Sequence, residues 1–86
     1  MIEVEPGAIR VLLIEAGLLA ANADIAESQS LFDAGVLDSL RLIDFVLTIE
    51  SSYGIAVRSD ELIPENFDSI ASLCTYVAGK LNGHSR

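Results

Sequence analysis

At 86 residues the chain is long enough for one domain and too short for two, and its 51% hydrophobic content excludes intrinsic disorder. Thirteen acidic against five basic residues give a formal charge of −8, which repels nucleic acid and anionic membrane surfaces and suits partners with basic docking patches. The single cysteine, Cys74, excludes an internal disulfide and a cysteine-based zinc site, and no apolar run approaches the roughly 18–20 residues of a bilayer helix.

Glu3 and Glu5 stand where an export signal carries Lys or Arg, so a cytoplasmic location is expected. Pro6 suits the start of a helix. From Ala8 to about Ala21, Ile9, Leu12, Leu13, Ala16, Leu19 and Ala20 follow the i, i+3, i+4, i+7 spacing of a buried helical face. Val11, Ile14 and Leu18 widen that face, which predicts a helix covered on more than one side.

Residues Asn22 to Asp38 form a long connection with Asp24, Ser28, Ser30, Asp33 and Gly35. A connection of that length in a compact domain is commonly functional or internally packed, and Ile25, Leu31 and Phe32 are its expected anchors. Asp38 offers an N-cap to a second helix, predicted from Ser39 to about Tyr53 and stopped by Gly54. That helix carries two apolar stripes: Leu42, Phe45, Val46, Ile49 and Tyr53 on one side, Leu40, Ile43 and Leu47 on the other. So small a domain can hardly bury both, so one of them should face a partner.

Ile55 and Val57 lead into Ser59-Asp60-Glu61, expected to form a polar turn that starts one turn of helix before Pro64. A final helix is predicted from Asp68 or Ser69, with Ile70, Leu73, Cys74, Val77 and Leu81 on its apolar face, ending around Asn82-Gly83. Cys74 then reads as a structural core cysteine. The expected fold class is all-α: a small four-helix bundle with three main helices and one short one. It occupies 1–86 as a single domain, with its core at about 6–81 and a flexible tail at 82–86.

The informative run is Leu31-Phe32-Asp33-Ala34-Gly35-Val36-Leu37-Asp38-Ser39-Leu40. Physically it is an anchored loop, a glycine, a capping aspartate and a serine at the first position of an amphipathic helix. Free backbone amides and the helix dipole there favour an anion.

With Leu31-Phe32 and Gly35 before it, Asp38-Ser39-Leu40 resembles the attachment site of acyl and peptidyl carrier proteins. Ser39 through Tyr53 is similar to that family's recognition helix, and Tyr53-Gly54-Ile55-Ala56-Val57 to the segment after it. Glu65-Asn66-Phe67-Asp68-Ser69-Ile70 is similar to the lead-in to its last helix, so the likeness runs from Pro6 to Leu81. The tripeptide alone is a weak signal; in this setting it is a strong one.

The resemblance implies a bundle of the acyl-carrier type and a covalent 4′-phosphopantetheine on Ser39, transferred from coenzyme A by a phosphopantetheinyl transferase that supplies its own divalent metal. Asp38 helps position that site. The arm's thiol bears an acyl or aminoacyl group as a thioester, loaded by an AMP-forming ligase and passed to acyl-transferring or condensing enzymes. The protein itself is not an enzyme, with no catalytic or metal-binding residues; its lone histidine, His84, lies in the tail. Leu40, Arg41, Ile43, Asp44, Leu47 and Glu50 are the implied docking face.

One departure stands out. Arg41 follows Leu40 where carriers of fatty-acid synthesis often place an acidic or neutral residue, and Ser51-Ser52 replace further acids. The implied function is a free-standing, monomeric carrier in specialised biosynthesis (polyketide, nonribosomal peptide or related). The alternatives are a carrier of general fatty-acid synthesis and, from another class, a small helical adaptor without cofactor.

Overall fold

The computed structural model describes residues 2–83; His84 and the last part of the expected tail lie outside the described residues. Helix α1 spans Pro6–Glu15, α2 Ser39–Tyr53, α3 Pro64–Phe67 and α4 Ile70–Leu81, with a single 3₁₀ turn at Ser59–Glu61. The described residues form no strand. The all-α expectation of three main helices is borne out, and the 3₁₀ turn falls before Pro64 as predicted. The expected short fourth helix is also present as α3, which begins on Pro64 itself and not before it.

Helix α1 begins on Pro6, whose missing N–H costs nothing at that position. It ends at Glu15 and not near Ala21, which corrects the periodic reading. The amide of Gly17 donates to the Ile14 carbonyl at 3.0 Å and that of Leu18 to the Leu13 carbonyl at 2.9 Å, the paired closure of a Schellman motif. Such a closure needs a left-handed residue, and Gly17 supplies φ +77° without a Cβ penalty. The chain then turns away. Ile9 and Leu13 are fully buried from the helix and Leu19 is buried from beyond it, whereas Ala16 and Ala20 are exposed.

The core gathers Ile9 and Leu13 of α1, Phe45, Val46 and Ile49 of α2, Phe67 of α3, and Ile70, Leu73, Tyr76 and Val77 of α4. The connection contributes Ile25, Leu31, Val36 and Leu37, so it is packed and not merely draped. Phe32, an expected anchor, is only half-buried; Val36 and Leu37 take that role.

Ser69 caps α4, its hydroxyl oxygen accepting from the Ser72 amide at 3.0 Å. Glu61 ties the 3₁₀ turn to α4, accepting from the Tyr76 hydroxyl at 3.1 Å and the Lys80 ammonium at 2.9 Å. Burial and the Glu61 carboxylate push the Tyr76 phenol well above its usual pKa. The Tyr76 ring packs on Phe67 with centroids 5.1 Å apart. Cys74 is half-buried against the core, and burial raises its thiol pKa. At the other end, the Asn82 side chain donates to the Ile2 carbonyl and accepts the Ile2 amide, both at 2.9 Å, so the first residue of the expected tail joins the two ends of the described chain.

Candidate functional site

Helix α2 starts at Ser39, as the capping pattern predicts. One oxygen of Asp38, Oδ1, accepts from the amides of Leu40 at 3.1 Å and Arg41 at 2.9 Å. Of the backbone amides expected to be free at this helix mouth, two are taken by the cap itself. Ser39 is exposed, and none of the described hydrogen bonds involves its hydroxyl. The hydroxyls of Ser30, Ser69 and Ser72, by contrast, are all engaged inside the fold.

The chain leading into Ser39 is held by bonds that cross the molecule. The amide of Leu31 donates to the Asp68 carbonyl at 2.6 Å. The Asp68 carboxylate accepts from the Ser30 hydroxyl at 2.8 Å and the Phe32 amide at 3.1 Å. The amides of Val36 and Leu37 both return to the Leu31 carbonyl, at 2.9 and 3.1 Å. Gly35, at φ +76°, makes that tight return, in a region of backbone space that other residues rarely adopt. Farther back, the half-buried Arg10 guanidinium donates to the carbonyls of Ala23 and Ile25. Asp68 and Arg10 therefore set the position of the site from a distance, and neither role was read from the sequence.

The two stripes of α2 separate as expected. Phe45, Val46 and Ile49 are buried, with Leu42 and Tyr53 half-buried, while Leu40, Ile43 and Leu47 are 81%, 51% and 60% exposed. Asp44 is exposed beside them. Glu50 is half-buried at the margin of the stripe, and its Oε2 accepts from the Val57 amide at 2.8 Å. Arg41 is folded back: its Nη1 donates to the Gly35 carbonyl at 3.1 Å, and its Nε lies 3.9 Å from Asp38 Oδ2.

Comparison with known proteins adds the decisive observation. The family described as phosphopantetheine attachment site matches residues 10–77. The chain belongs to this family of carrier domains. A relative named aminoacyl carrier protein 1, from Bradyrhizobium diazoefficiens, is 30% identical over 67 residues, covering 74% of this chain and 73% of the relative. Relatives named D-alanyl carrier protein, from Streptococcus pyogenes serotypes M1 and M5, are 33% identical over 52 residues, covering 58% of this chain and 66% of the relative. No solved structure gives a significant match.

As a member of the family the protein is a carrier and not a catalyst, and its cofactor is a covalently bound 4′-phosphopantetheine. Transferases and ligases are the kinds of enzyme such carriers work with. When attached, the arm supplies a terminal thiol for thioester chemistry. The mouth of α2 fits such a group, because an exposed, unbonded serine hydroxyl at a helix start leaves room for a phosphodiester in water. Among the described residues no helix is long and apolar enough to cross a membrane, and no cluster of His, Cys, Asp and Glu could hold a metal ion.

Proposed function

We propose that Ser39 bears the arm and Asp38 positions it, and that the chain acts as a free-standing, cytoplasmic, monomeric carrier of aminoacyl or acyl groups in specialised biosynthesis. One observation carries the assignment of the site: Ser39 is the first residue of α2, exposed, directly behind an aspartate that caps the helix. Aspartate so placed does two things. It fixes where α2 begins, and it leaves the next hydroxyl in solvent at a defined point.

In the transfer, the Ser39 oxygen forms a bond to the phosphorus nearest the pantetheine of coenzyme A. The pyrophosphate bond breaks, 3′,5′-adenosine diphosphate leaves, and a base of the transferase takes the serine proton. The carrier contributes position alone. Once armed, it presents its thiol to an AMP-forming ligase for loading and then to acyl-transferring or condensing enzymes. The names of the relatives, aminoacyl carrier and D-alanyl carrier, support an amino acid as cargo.

Leu40, Ile43 and Leu47, with Arg41, Asp44 and Glu50 around them, form the proposed docking face. Three large apolar side chains standing in water on one helix face are what a partner groove would cover. Intact-mass measurement after incubation with coenzyme A and a promiscuous phosphopantetheinyl transferase tests the site: the mass should rise by one phosphopantetheine, and Ser39→Ala should abolish the gain. A gain that survives the substitution, or no gain at all, defeats the assignment. Offering the armed protein to amino-acid ligases and to fatty-acid enzymes then divides the cargo classes, and loading by the fatty-acid enzymes alone would overturn the aminoacyl reading.

A further inference from the structure

We infer that Arg41 is the positioning residue for the arm, its guanidinium pairing with the phosphodiester on Ser39. The inference rests on the reading of Ser39 as the attachment residue. Attaching the arm places a permanent negative charge beside Asp38, whose carboxylate side chain is itself 61% exposed. Two like charges so close repel unless a cation joins them.

The described cations leave one candidate. Arg10 is committed to the carbonyls of Ala23 and Ile25. Arg58 pairs with Asp60 at 3.1 Å, and Lys80 with Glu61 at 2.9 Å. Among these cations only Arg41 has its guanidinium at the last few residues before Ser39, where it does not extend away along the helix but turns back to Gly35 and Asp38.

It is also not used up there. A guanidinium has five N–H donors, and the hydrogen bond to the Gly35 carbonyl occupies one of them. Its approach to Asp38 Oδ2, at 3.9 Å, is too long for a hydrogen bond, while Asp38 Oδ1 is occupied by the two helix amides. The Gly35 contact limits the rotamers the side chain must lose, so an anion arriving beside it meets a cation already held in place. The side chain remains 53% exposed and accessible to that anion.

A thermodynamic cycle between the arm and Arg41 tests this. Wild type, Arg41→Gln and Arg41→Lys are converted to the armed form, checked by mass, and melted with and without the arm. At about 20 mM NaCl, Arg41→Gln should lower the armed Tm by about 2–4 °C more than the unarmed Tm. That excess should shrink at about 0.5 M NaCl, and Arg41→Lys should recover part of it. In wild-type protein the NMR signal of the Arg41 Nε–H should move on arming while those of Arg10 and Arg58 stay fixed. Equal Tm losses in both forms, or an unmoved Arg41 signal, overturn the inference while leaving Ser39 as the attachment residue. Failure of wild type to take the arm, or arming of Ser39→Ala, removes the attachment reading and the inference with it.

Discussion

The two faces of α2 are built from the same kinds of residue and behave as opposites. Phe45, Val46 and Ile49 are buried in the core that α1, α4 and the connection also build, whereas Leu40, Ile43 and Leu47 stand more than half in solvent. Apolar character alone does not assign burial; what lies opposite does. A domain with one small core has only enough partner surface for one stripe of its central helix. The second stripe has a cost in solubility, which the net charge of −8 offsets.

The comparison breaks most visibly at Phe45. Truncation to Ala leaves a cavity in a fully buried site and should cost about 3–5 kcal/mol, read by chemical denaturation. In a domain this size that is a large share of the total stability. Leu47→Ala, on the other face of the same helix, should stay within about 0.5 kcal/mol. Similar losses at both positions would mean that the outer stripe is core.

The next effect concerns the support of α2 and not its faces. Asp68→Ala removes the acceptor for the Ser30 hydroxyl and the Phe32 amide and should cost about 1–3 kcal/mol. Hydrogen exchange at the Phe32 amide should speed up more than exchange at the buried centre of α2. Uniform acceleration would show that the connection and the helix open as one unit.

Asp38→Ala is smaller still. Loss of the cap should cost about 0.5–2 kcal/mol and fray the first turn, and transfer to Ser39 should slow because the hydroxyl no longer has a fixed position. Asp38→Asn keeps a capping oxygen and should recover most of the stability. If it recovers the transfer rate as well, the carboxylate charge has no part in positioning.

These expectations mark where the sequence was readable. The limits of α2 were legible because both signals are local: an aspartate before the helix and a glycine after it. The end of α1 was not, because Ala16, Leu19 and Ala20 continue the helical period past Gly17, and periodicity is blind to a residue that leaves the helix through positive φ. The packing of the connection was half legible. Leu31 and Ile25 were found from their character, but Val36 and Leu37 replaced Phe32, and the fastening to Asp68 joins residues 36 and 38 positions apart. Glu50 shows the same limit at one side chain. A carboxylate on an exposed margin reads as a docking charge, yet the fold already uses one of its oxygens on the Val57 amide.

The smallest effect on stability is expected at a position where docking should suffer strongly. Ile43 lies in the middle of the outer stripe and is half in water, so Ile43→Asp sacrifices little packing within the chain. Helix propensity accounts for a change of a few tenths of a kcal/mol, and the melting curve should move little. In a docked complex the same side chain would be covered, and burying a carboxylate against an apolar groove leaves it without water or a partner. Loading by a ligase should therefore weaken on the order of tenfold or more through KM, with the arm still attached normally. The contrast with Phe45→Ala is the point of the measurement, because one substitution removes the fold and the other only the fit. A Tm that falls with Ile43→Asp as it does with Phe45→Ala would erase the distinction between the faces and place the outer stripe inside the protein's own core.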